Sequence, residues 1–380
     1  GYGVGSFHHN LLAHCEGRNW SLSGGLDGSG YYDGAHDVFN NVVYNWGKRA
    51  TDGGTHELNF VNNYYKMGPA TTQTFLLRHQ FEGTGKGSQA AYVSGNVRVT
   101  ANGAMTQDAE GVTYKYELSG GQQLTWKPWN DKPFFESLVA IESAEAAYRN
   151  VLSDVGCNLP LLNAHDRRMV TETYNGTTST VGSKTGKRGL IDREWDAEGY
   201  VAIEEIARPA DFDTDKDGMP DWWERLNGLD PNVPDNNTDA NGDGYTALED
   251  YLNWMALPHF EIPLGKSVEI DLMPYFAGYP SNTSFSIAEG DNASLSGQKI
   301  AISSVNTESL ASVKVKAEYQ GVSLTRTFNI HYSDLSTGIL DLPATVPSTS
   351  SPVIYNLSGQ RVTSNYRGIV IRNGKKQINK

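Results

Sequence analysis

Short apolar stretches follow an asparagine four times in the first part of the chain: Asn10-Leu11-Leu12, Asn41-Val42-Val43-Tyr44, Asn63-Tyr64-Tyr65 and Asn96-Val97-Arg98. The asparagines are spaced 31, 22 and 33 residues apart. A solenoid coil needs roughly 20–30 residues per turn, with insertions looping from one side. Asparagines at equivalent turns can stack as an amide ladder, each side chain bonding the next. The pattern predicts a right-handed parallel β-helix over residues 1–135. Four ordinary sandwich strands with asparagine in their turns would give the same repeat.

The pattern then changes. Over 136–210 the spacing of Ala147, Tyr148, Val151, Leu152 and Val155 predicts a helix, capped by Ser143 and stopped at Gly156. A polar loop follows at Tyr174–Thr180, and this whole segment is expected to pack on the solenoid. Residues 211–257 carry two acidic loops. Residues 258–335 alternate, as in Ser267–Leu272 and Ala311–Ala317, and suggest a small β-sandwich. Within 336–380, residues 342–352 are a Pro/Ser/Thr linker. The basic end carries a hairpin of Ile369–Arg372 and Lys375–Ile378 turned by Asn373-Gly374.

Composition narrows the reading. The chain has 380 residues, a net charge of −13 and 40 glycines, which favours turns and β structure over long helices. No apolar run is long enough for a membrane span. No basic stripe with interleaved aromatics points to nucleic acid. Cys15 and Cys157 are the two cysteines, too few for a disulfide-rich or Cys-rich zinc module. Whether they join is open. Residues 191–260 carry 18 Asp/Glu against four Lys/Arg, so the charge imbalance sits in one segment. The chain begins with glycine inside a patterned region, so it is expected to be processed or truncated at its N-terminus.

The acidic segment contains the most specific motif. Asp213, Asp215, Asp217, Asp221 and Glu224 fall at loop positions 1, 3, 5, 9 and 12, with Gly218 at position 6 and the Met219 carbonyl at position 7. Hard oxygens in that order, with a glycine at the sharp turn, suit calcium in an EF-hand-like or dockerin-like loop. A second loop offers Asp239, Asn241, Asp243, the Tyr245 carbonyl and Asp250, with alanine at position 9 and aspartate at position 12. The helix carrying Trp222, Trp223 and Leu226 should pack on Tyr251, Leu252 and Trp254. Both loops read as structural sites.

One stretch resembles a known family. His8-His9-Asn10-Leu11-Leu12-Ala13-His14-Cys15-Glu16-Gly17-Arg18-Asn19 is similar to the arginine-bearing rung of family 1 polysaccharide lyases, the pectate lyases. Residues Tyr44–Gly54 and Val61–Pro69 resemble the rungs that follow, and the likeness extends over roughly residues 6–257. Secreted Bacteroidetes lyases resemble the whole arrangement, acidic loops included. The segment Ile354–Val362 with Gly368–Ile371 resembles the sorting tails of that phylum. The resemblance implies a parallel β-helix, Ca2+ as cofactor and β-elimination of an acidic polysaccharide such as polygalacturonate. It also implies a secreted or cell-surface location, with the tail engaging secretion or surface-anchoring machinery.

Lyase cleavage removes the C5 proton beside a uronate carboxylate and expels the O4 glycoside. By resemblance Arg18 is the base, helped by calcium acting as a Lewis acid on that carboxylate. A free guanidinium stays protonated to about pH 12, so such a base needs a special setting. Lys48 and Arg49 on the next rung are expected to hold substrate carboxylates. His8 and His9 are expected to pack beside the coil, and Lys66 and Arg78 to be exposed charges. Family members often carry a proline and a second arginine where this chain has Trp20-Ser21-Leu22-Ser23, and Trp20 could stack on a sugar ring. The family's catalytic calcium carboxylates lie on rungs ahead of the arginine, Asp27, Asp33 and Asp37 do not fill that role, and the chain by itself could be inactive. The alternative is a non-catalytic carbohydrate-binding or adhesive surface protein on a calcium-stabilised β-helix. A hydrolase would need paired acid and base carboxylates, and no clear pair is evident.

Overall fold

The structure, a computed structural model, describes residues 4–22, 25–81, 84–118, 123–159, 162–200, 208–209, 211–334, 354–356, 361–362, 367–372 and 375–379. Gly1–Leu335 form one compact unit and Ser336–Lys380 a second.

The chain winds as coils. The first supplies β1 (Val4–His8) and β2 (Leu11–Ala13), and the second β3 (Ala35–Phe39), β4 (Val42–Tyr44) and β5 (Thr51–Gly53). The third supplies β6 (Glu57–Val61), β7 (Tyr64–Lys66) and β8 (Leu77–Phe81). The fourth supplies β9 (Ala90–Ser94), β10 (Val97–Val99), β11 (Met105–Gln107) and β12 (Tyr114–Leu118). Strands from successive coils pair in parallel to make three sheets: β1-β3-β6-β9, β2-β4-β7-β10 and β5-β8-β12. Only β11 pairs antiparallel, at the edge of the second sheet. In the first coil the third strand shrinks to a bridge between Ser21 and Asp52. Three parallel sheets wound from consecutive coils are the arrangement of a parallel β-helix.

The corners explain the asparagines. Between the first and second sheets, His9, Asn40, Asn62 and Gly95 each take a left-handed backbone, with φ of 53°, 51°, 49° and 73°. Asparagine and glycine tolerate that region best, so the chain turns there at low cost. The residue after each corner is a ladder asparagine. Asn10 Nδ2 donates to Asn41 Oδ1 at 2.9 Å, Asn41 to Asn63 at 3.0 Å, and Asn63 to Asn96 at 2.9 Å. Asn96 closes the stack on Asp108 Oδ1 at 3.1 Å. Inside the coils, Val38, Leu58, Phe60, Val43, Tyr65, Leu77 and Trp46 are fully buried. Each such aliphatic or aromatic side chain contributes about 1.5–3 kcal/mol on burial.

The predicted helix is α1 (Ala144–Asp154), its Ser143 hydroxyl accepting from the Ala146 amide, with Gly156 left-handed just past its end. Ala144, Tyr148, Val151 and Leu152 bury against Val42, Tyr64, Val97 and Val99 of the second sheet. A second helix, α2 (Ala164–Asn175), was not expected. Asn163 caps it and Gly176 ends it. The polar loop therefore starts after Asn175 rather than at Tyr174.

Residues 211–257 contain α3 (Asp221–Asn227) and α4 (Ala247–Met255). Trp222, Trp223, Tyr251 and Trp254 pack as expected, together with Met219, Ala247 and Leu248, whereas Leu252 is exposed. Then β13 (His259–Pro263), β14 (Val268–Asp271), β15 (Ser284–Glu289), β16 (Ala293–Ser296), β17 (Lys299–Ile302), β18 (Ser309–Tyr319) and β19 (Val322–Ser333) form two sheets. One has order β13-β19-β18-β15, with β13 parallel to β19, and the other is the antiparallel β14-β17-β16. Trp222 stacks on His331 of β19 at 4.0 Å.

The second unit is a sheet of β20 (Ile354–Asn356), β21 (Arg361–Val362), β22 (Gly368–Arg372) and β23 (Lys375–Asn379). Its β22–β23 hairpin has the expected two-residue register, Arg372 opposite Lys375. The linker 342–352 and residues 357–360 of the sorting-like motif lie outside the described residues. Among the described residues no helix is long and apolar enough to cross a membrane.

Candidate functional site

Residues 14–19 leave β2 and run beside residues 45–50, which leave β4. The Asn19 amide donates to Ala50 O at 2.9 Å, Gly47 N to Cys15 O at 3.2 Å, and Leu22 N to Asp52 O at 2.9 Å. Buried Asn19 donates to Arg49 O through Nδ2 at 3.2 Å. A Cβ at Gly17 would lie 3.1 Å from the Arg49 Cβ, so the two coils touch there. These bonds stack Arg18 and Arg49 on neighbouring coils, with Arg78 one coil further, opposite Asp52. Arg18 itself is exposed, at φ 56°.

The wall is not uniformly cationic. Asp52 is buried at its centre and binds two arginines from two coils. Arg49 Nε donates to Asp52 Oδ2. Arg78 donates to Asp52 Oδ1 at 2.8 Å and Oδ2 at 2.6 Å, and that bond holds the Arg78 guanidinium more firmly protonated than usual. Lys115 pairs with Glu117 at 2.7 Å on the same sheet. Arg49 is thus already neutralised. Arg18 and Lys48 are exposed and, among the described residues, have no hydrogen-bond or ion-pair partner. Trp20 is half-buried, its ring 5.3 Å from Phe7 and packed on the core.

Two expectations about cations fail. Arg78 is bound to Asp52 rather than solvated. Lys66 is half-buried between the coil and the helices, donating to Tyr174 O at 2.7 Å and Tyr148 OH at 3.0 Å. Burial lowers its pKa to about 8. The coil repeat places Lys66 at the end of β7, where α1 and α2 cover it, and that cover was not visible without α2.

The histidines divide as expected for His8 and His9. His8 stacks on Phe39 at 5.0 Å and His9 Nε2 meets Glu142 Oε1 at 3.1 Å. His14 was overlooked. Its Nδ1 is 2.8 Å from Asn45 Nδ2, and its Nε2 is 2.8 Å from Glu172 Oε2 of α2, both side chains nearly inaccessible. Asn45 donating to Nδ1 leaves the proton on Nε2, facing the carboxylate. Burial outweighs Glu172 and lowers the His14 pKa. Glu172 also accepts from Ser179 N at 2.8 Å. An open cavity of about 570 Å³ lies beside it, lined by Arg167, Arg168, Thr171 and Thr177–Ser179.

The acidic loops form a separate site. Asp213, Asp215 and Asp217 present oxygens within 4.8 Å of one another, and Asp217, Glu224 and Asp235 do the same. Glu224 is completely buried, and neither of its oxygens has a hydrogen-bond partner. Its pKa is raised to about 7, first by burial and then by Asp215 and Asp217. A buried carboxylate without donors is costly unless a cation meets it. This donor set suits a hard cation such as calcium. Asp221 faces the start of the loop. It accepts from Thr214 N and Oγ1, both at 2.8 Å, and so closes the loop. Asp235 takes part from outside the loop, and no loop spacing pointed to it.

The second loop repeats the first loop's turn. Asp243 N donates to Asp239 Oδ1 at 3.2 Å and Asn241 Oδ1 at 3.0 Å, as Asp217 N does to Asp213 and Asp215. Asp239, Asn241, Asp243 and Tyr245 are exposed, and half-buried Asp250 is held by Asn241 Nδ2 at 3.1 Å. Cys15 and Cys157 are both free.

No protein-family model matches the chain. Among curated proteins it is similar to fungal enzymes named "probable pectate lyase C". The Aspergillus flavus protein is 28% identical over 232 residues, covering 58% of this chain and 48% of that protein. The Aspergillus oryzae protein is 27% identical over 232 residues, with the same coverage. That of Emericella nidulans is 27% identical over 227 residues, covering 58% and 47%. The likeness is to pectate lyases. The chain spans about half the length of the curated relatives it matches.

The likeness to pectate lyases implies a calcium near the arginine wall. The described coils do not fit it. Asp37 accepts from Ser137 Oγ at 2.6 Å, Asp27 from the Ser29 and Tyr31 amides at 2.8 Å, and Asp33 from Gly34 N at 2.6 Å. The groups of three or more close acidic side chains found among the described residues both lie within 213–235.

Proposed function

We propose that this chain carries the arginine wall of a secreted or cell-surface lyase that cleaves polygalacturonate or a related polyuronate by β-elimination. The observation that carries the reading is the placement of Arg18. It is the wall guanidinium without a carboxylate partner among the described residues, on coils whose sequence is pectate lyase-like. Arg49 and Arg78 are both committed to Asp52, and that bond holds the Arg78 guanidinium more firmly protonated than usual. In its neutral guanidine form Arg18 takes the C5 proton and becomes guanidinium. The C–H electrons form the C4=C5 double bond, and O4 departs and is protonated by water. Lys48 holds a neighbouring carboxylate, while Arg49 shapes the wall through Asp52. Trp20 flanks Arg18, and its packing on Phe7 suits a supporting role better than sugar stacking.

The acidic loops brace the molecule. Asp213, Asp215, Asp217, the Met219 carbonyl, Glu224 and Asp235 would hold one calcium, which supplies positive charge to a cluster that otherwise repels itself. Asp239, Asn241, Asp243, the Tyr245 carbonyl and Asp250 would hold a second, weaker one. Residues 258–335 read as a small β-sandwich module and 336–380 as a linker and sorting-like tail.

The neutralisation of Arg49 and Arg78 favours one other reading, a surface that binds acidic sugar without cleaving it. Incubation of polygalacturonate with the full-length polypeptide separates them. Release of unsaturated uronate, abolished by Arg18→Ala with the melting curve unchanged, is expected. Binding without unsaturated product would establish the adhesive reading, and full activity of Arg18→Ala would remove Arg18 as the base.

A further inference from the structure

Just past α2 the chain forms a tight hairpin, Thr180–Gly189. Val181 bridges Arg188, Gly182 N donates to Lys187 O at 2.9 Å, and Gly189 N donates to Thr180 O at 2.8 Å. Its turn is held from below by two carboxylates. Asp192 accepts from Lys184 N at 2.7 Å and Thr185 N at 2.8 Å, and Asp196 accepts from Ser183 N at 2.9 Å. The backbone donors of the turn are therefore used internally. What the hairpin offers outward is side chains, and three of them are basic: Lys184, Lys187 and Arg188, all exposed. In a chain of net charge −13, this is a local concentration of positive charge.

The hairpin is seated on the same turns that carry the arginine wall. Asn45 Nδ2 donates to Arg188 O at 3.0 Å. Lys187 Nζ pairs with Glu16 Oε2 at 2.7 Å, two residues before Arg18. Gly189 lies so close that a Cβ there would sit 2.5 Å from both His14 Nδ1 and Asn45 Nδ2. The seat explains why glycine ends the hairpin and why His14 is buried against Glu172. It also holds the hairpin on the two turns from which Arg18 and Lys48 project. Among the described residues, neither Lys184 nor Arg188 has a carboxylate partner. Lys187 is partly offset by Glu16.

We propose that this braced hairpin is a second carboxylate-binding subsite, in which Lys184 and Arg188 grip the uronate carboxylates of an acidic polysaccharide lying along the Arg18 wall. The inference rests on the polyuronate reading above. A polyuronate carries a negative charge at every sugar, so one chain can reach two separated cationic patches at once, and each added contact multiplies affinity. Rigid presentation matters, because a preformed hairpin loses little freedom on binding. The exposed charges also steer a polyanion toward the wall.

The test is binding, measured without turnover by affinity electrophoresis in polygalacturonate, in fully methyl-esterified pectin and with duplex DNA. The double variant Lys184→Ala/Arg188→Ala should weaken polygalacturonate binding about tenfold at low salt, with an unchanged melting curve and little effect on the neutral polymer. Asp192→Ala keeps every cation but unbraces the turn, and should weaken binding by a smaller factor. Unchanged polygalacturonate affinity in the double variant would overturn the subsite. So would wild-type binding of duplex DNA as tight as that of polygalacturonate, since the surface would then select any polyanion. The two readings fail separately. Hairpin-dependent binding with no unsaturated product sinks the lyase and keeps the subsite, whereas product formation with hairpin-independent binding does the reverse.

Discussion

Removing Asn63 from the asparagine ladder should cost far more than removing Asn10. Asn63 is fully buried. Its Oδ1 accepts from Asn41 N and Asn41 Nδ2, both at 3.0 Å, and its Nδ2 donates to Asn96 Oδ1 and Val38 O, both at 2.9 Å. In Asn63→Ala, Asn41 Nδ2 keeps Phe7 O and Phe39 O, and Asn96 Oδ1 keeps the Asn63 amide. The Asn41 amide loses its acceptor, and Val38 O loses a donor from inside the coil. Each buried group left unsatisfied costs about 1–3 kcal/mol, so the expected loss is roughly 2–6 kcal/mol. Asn10 lies at the exposed end, bonding His8 O and Asn41 Oδ1, and water can replace it. Asn10→Ala should cost under about 1 kcal/mol. Urea unfolding followed by far-ultraviolet circular dichroism reads both midpoints. Equal losses at Asn10 and Asn63 would refute the claim that the ladder's interior bonds, rather than general packing, hold the coils in register.

Chelation should lower the melting temperature, because a cation at one hundred times its Kd adds about 2.7 kcal/mol to the folded state. Calorimetry with and without calcium should show that Glu224→Gln and Asp235→Asn lose most of this increment while Asp221→Asn keeps more of it; a full increment in Glu224→Gln would remove the cation from that cluster. His79 is fully buried, and its pKa is lowered to about 3, so the unfolded chain takes up the proton first on acidification. Stability present above pH 6.5 should then fall by about 2 kcal/mol by pH 5, at about 1.4 kcal/mol per unit. His79→Gln should flatten that part of the pH–stability profile, and an unaltered profile would place the acid sensitivity elsewhere. Asp52→Asn should destabilise by about 3 kcal/mol by leaving Arg49 and Arg78 without their shared carboxylate. A urea midpoint within about 0.5 kcal/mol of wild type would show that the two arginines find water or Glu117 instead.

The parts of the fold legible in the sequence are those whose cause is local. A left-handed corner wants asparagine or glycine, and a stacked coil wants the same amide at the same place, so the 31-, 22- and 33-residue spacings survive as a repeat despite unequal loops. Ser143 ahead of α1 and the regular spacing of Asp213, Asp215 and Asp217 are local signals of the same kind. Helix α2 escaped because its run, Ala164–Asn175, is charged and its buried face reduces to Val170, Glu172 and Thr173. A buried glutamate does not read as core. Asp235 escaped for the opposite reason. Its partners Asp217 and Glu224 are distant in sequence, and only the turn after α3, where Asn236 donates to Asp217 Oδ2 at 3.0 Å, brings it back.

The charges on the wall show why stacking, and not composition, decides what each cation can do. The first hundred residues hold seven acidic and seven basic side chains, a balance that says nothing about pairing. Parallel register sets Asp52 opposite Arg78, twenty-six positions away, and the β4–β5 turn folds Arg49 onto the same carboxylate. Two arginines from two coils are thereby committed to one buried aspartate. Arg18 has no such neighbour, because the equivalent place on its own coil is Ser21, which bridges Asp52 through the backbone alone. A single aspartate thus sorts chemically identical side chains into two that shape the wall and one that remains open to solvent. An aspartate at position 21 would stand three residues after Arg18, as Asp52 stands after Arg49, and the asymmetry on which the proposed chemistry depends would be lost.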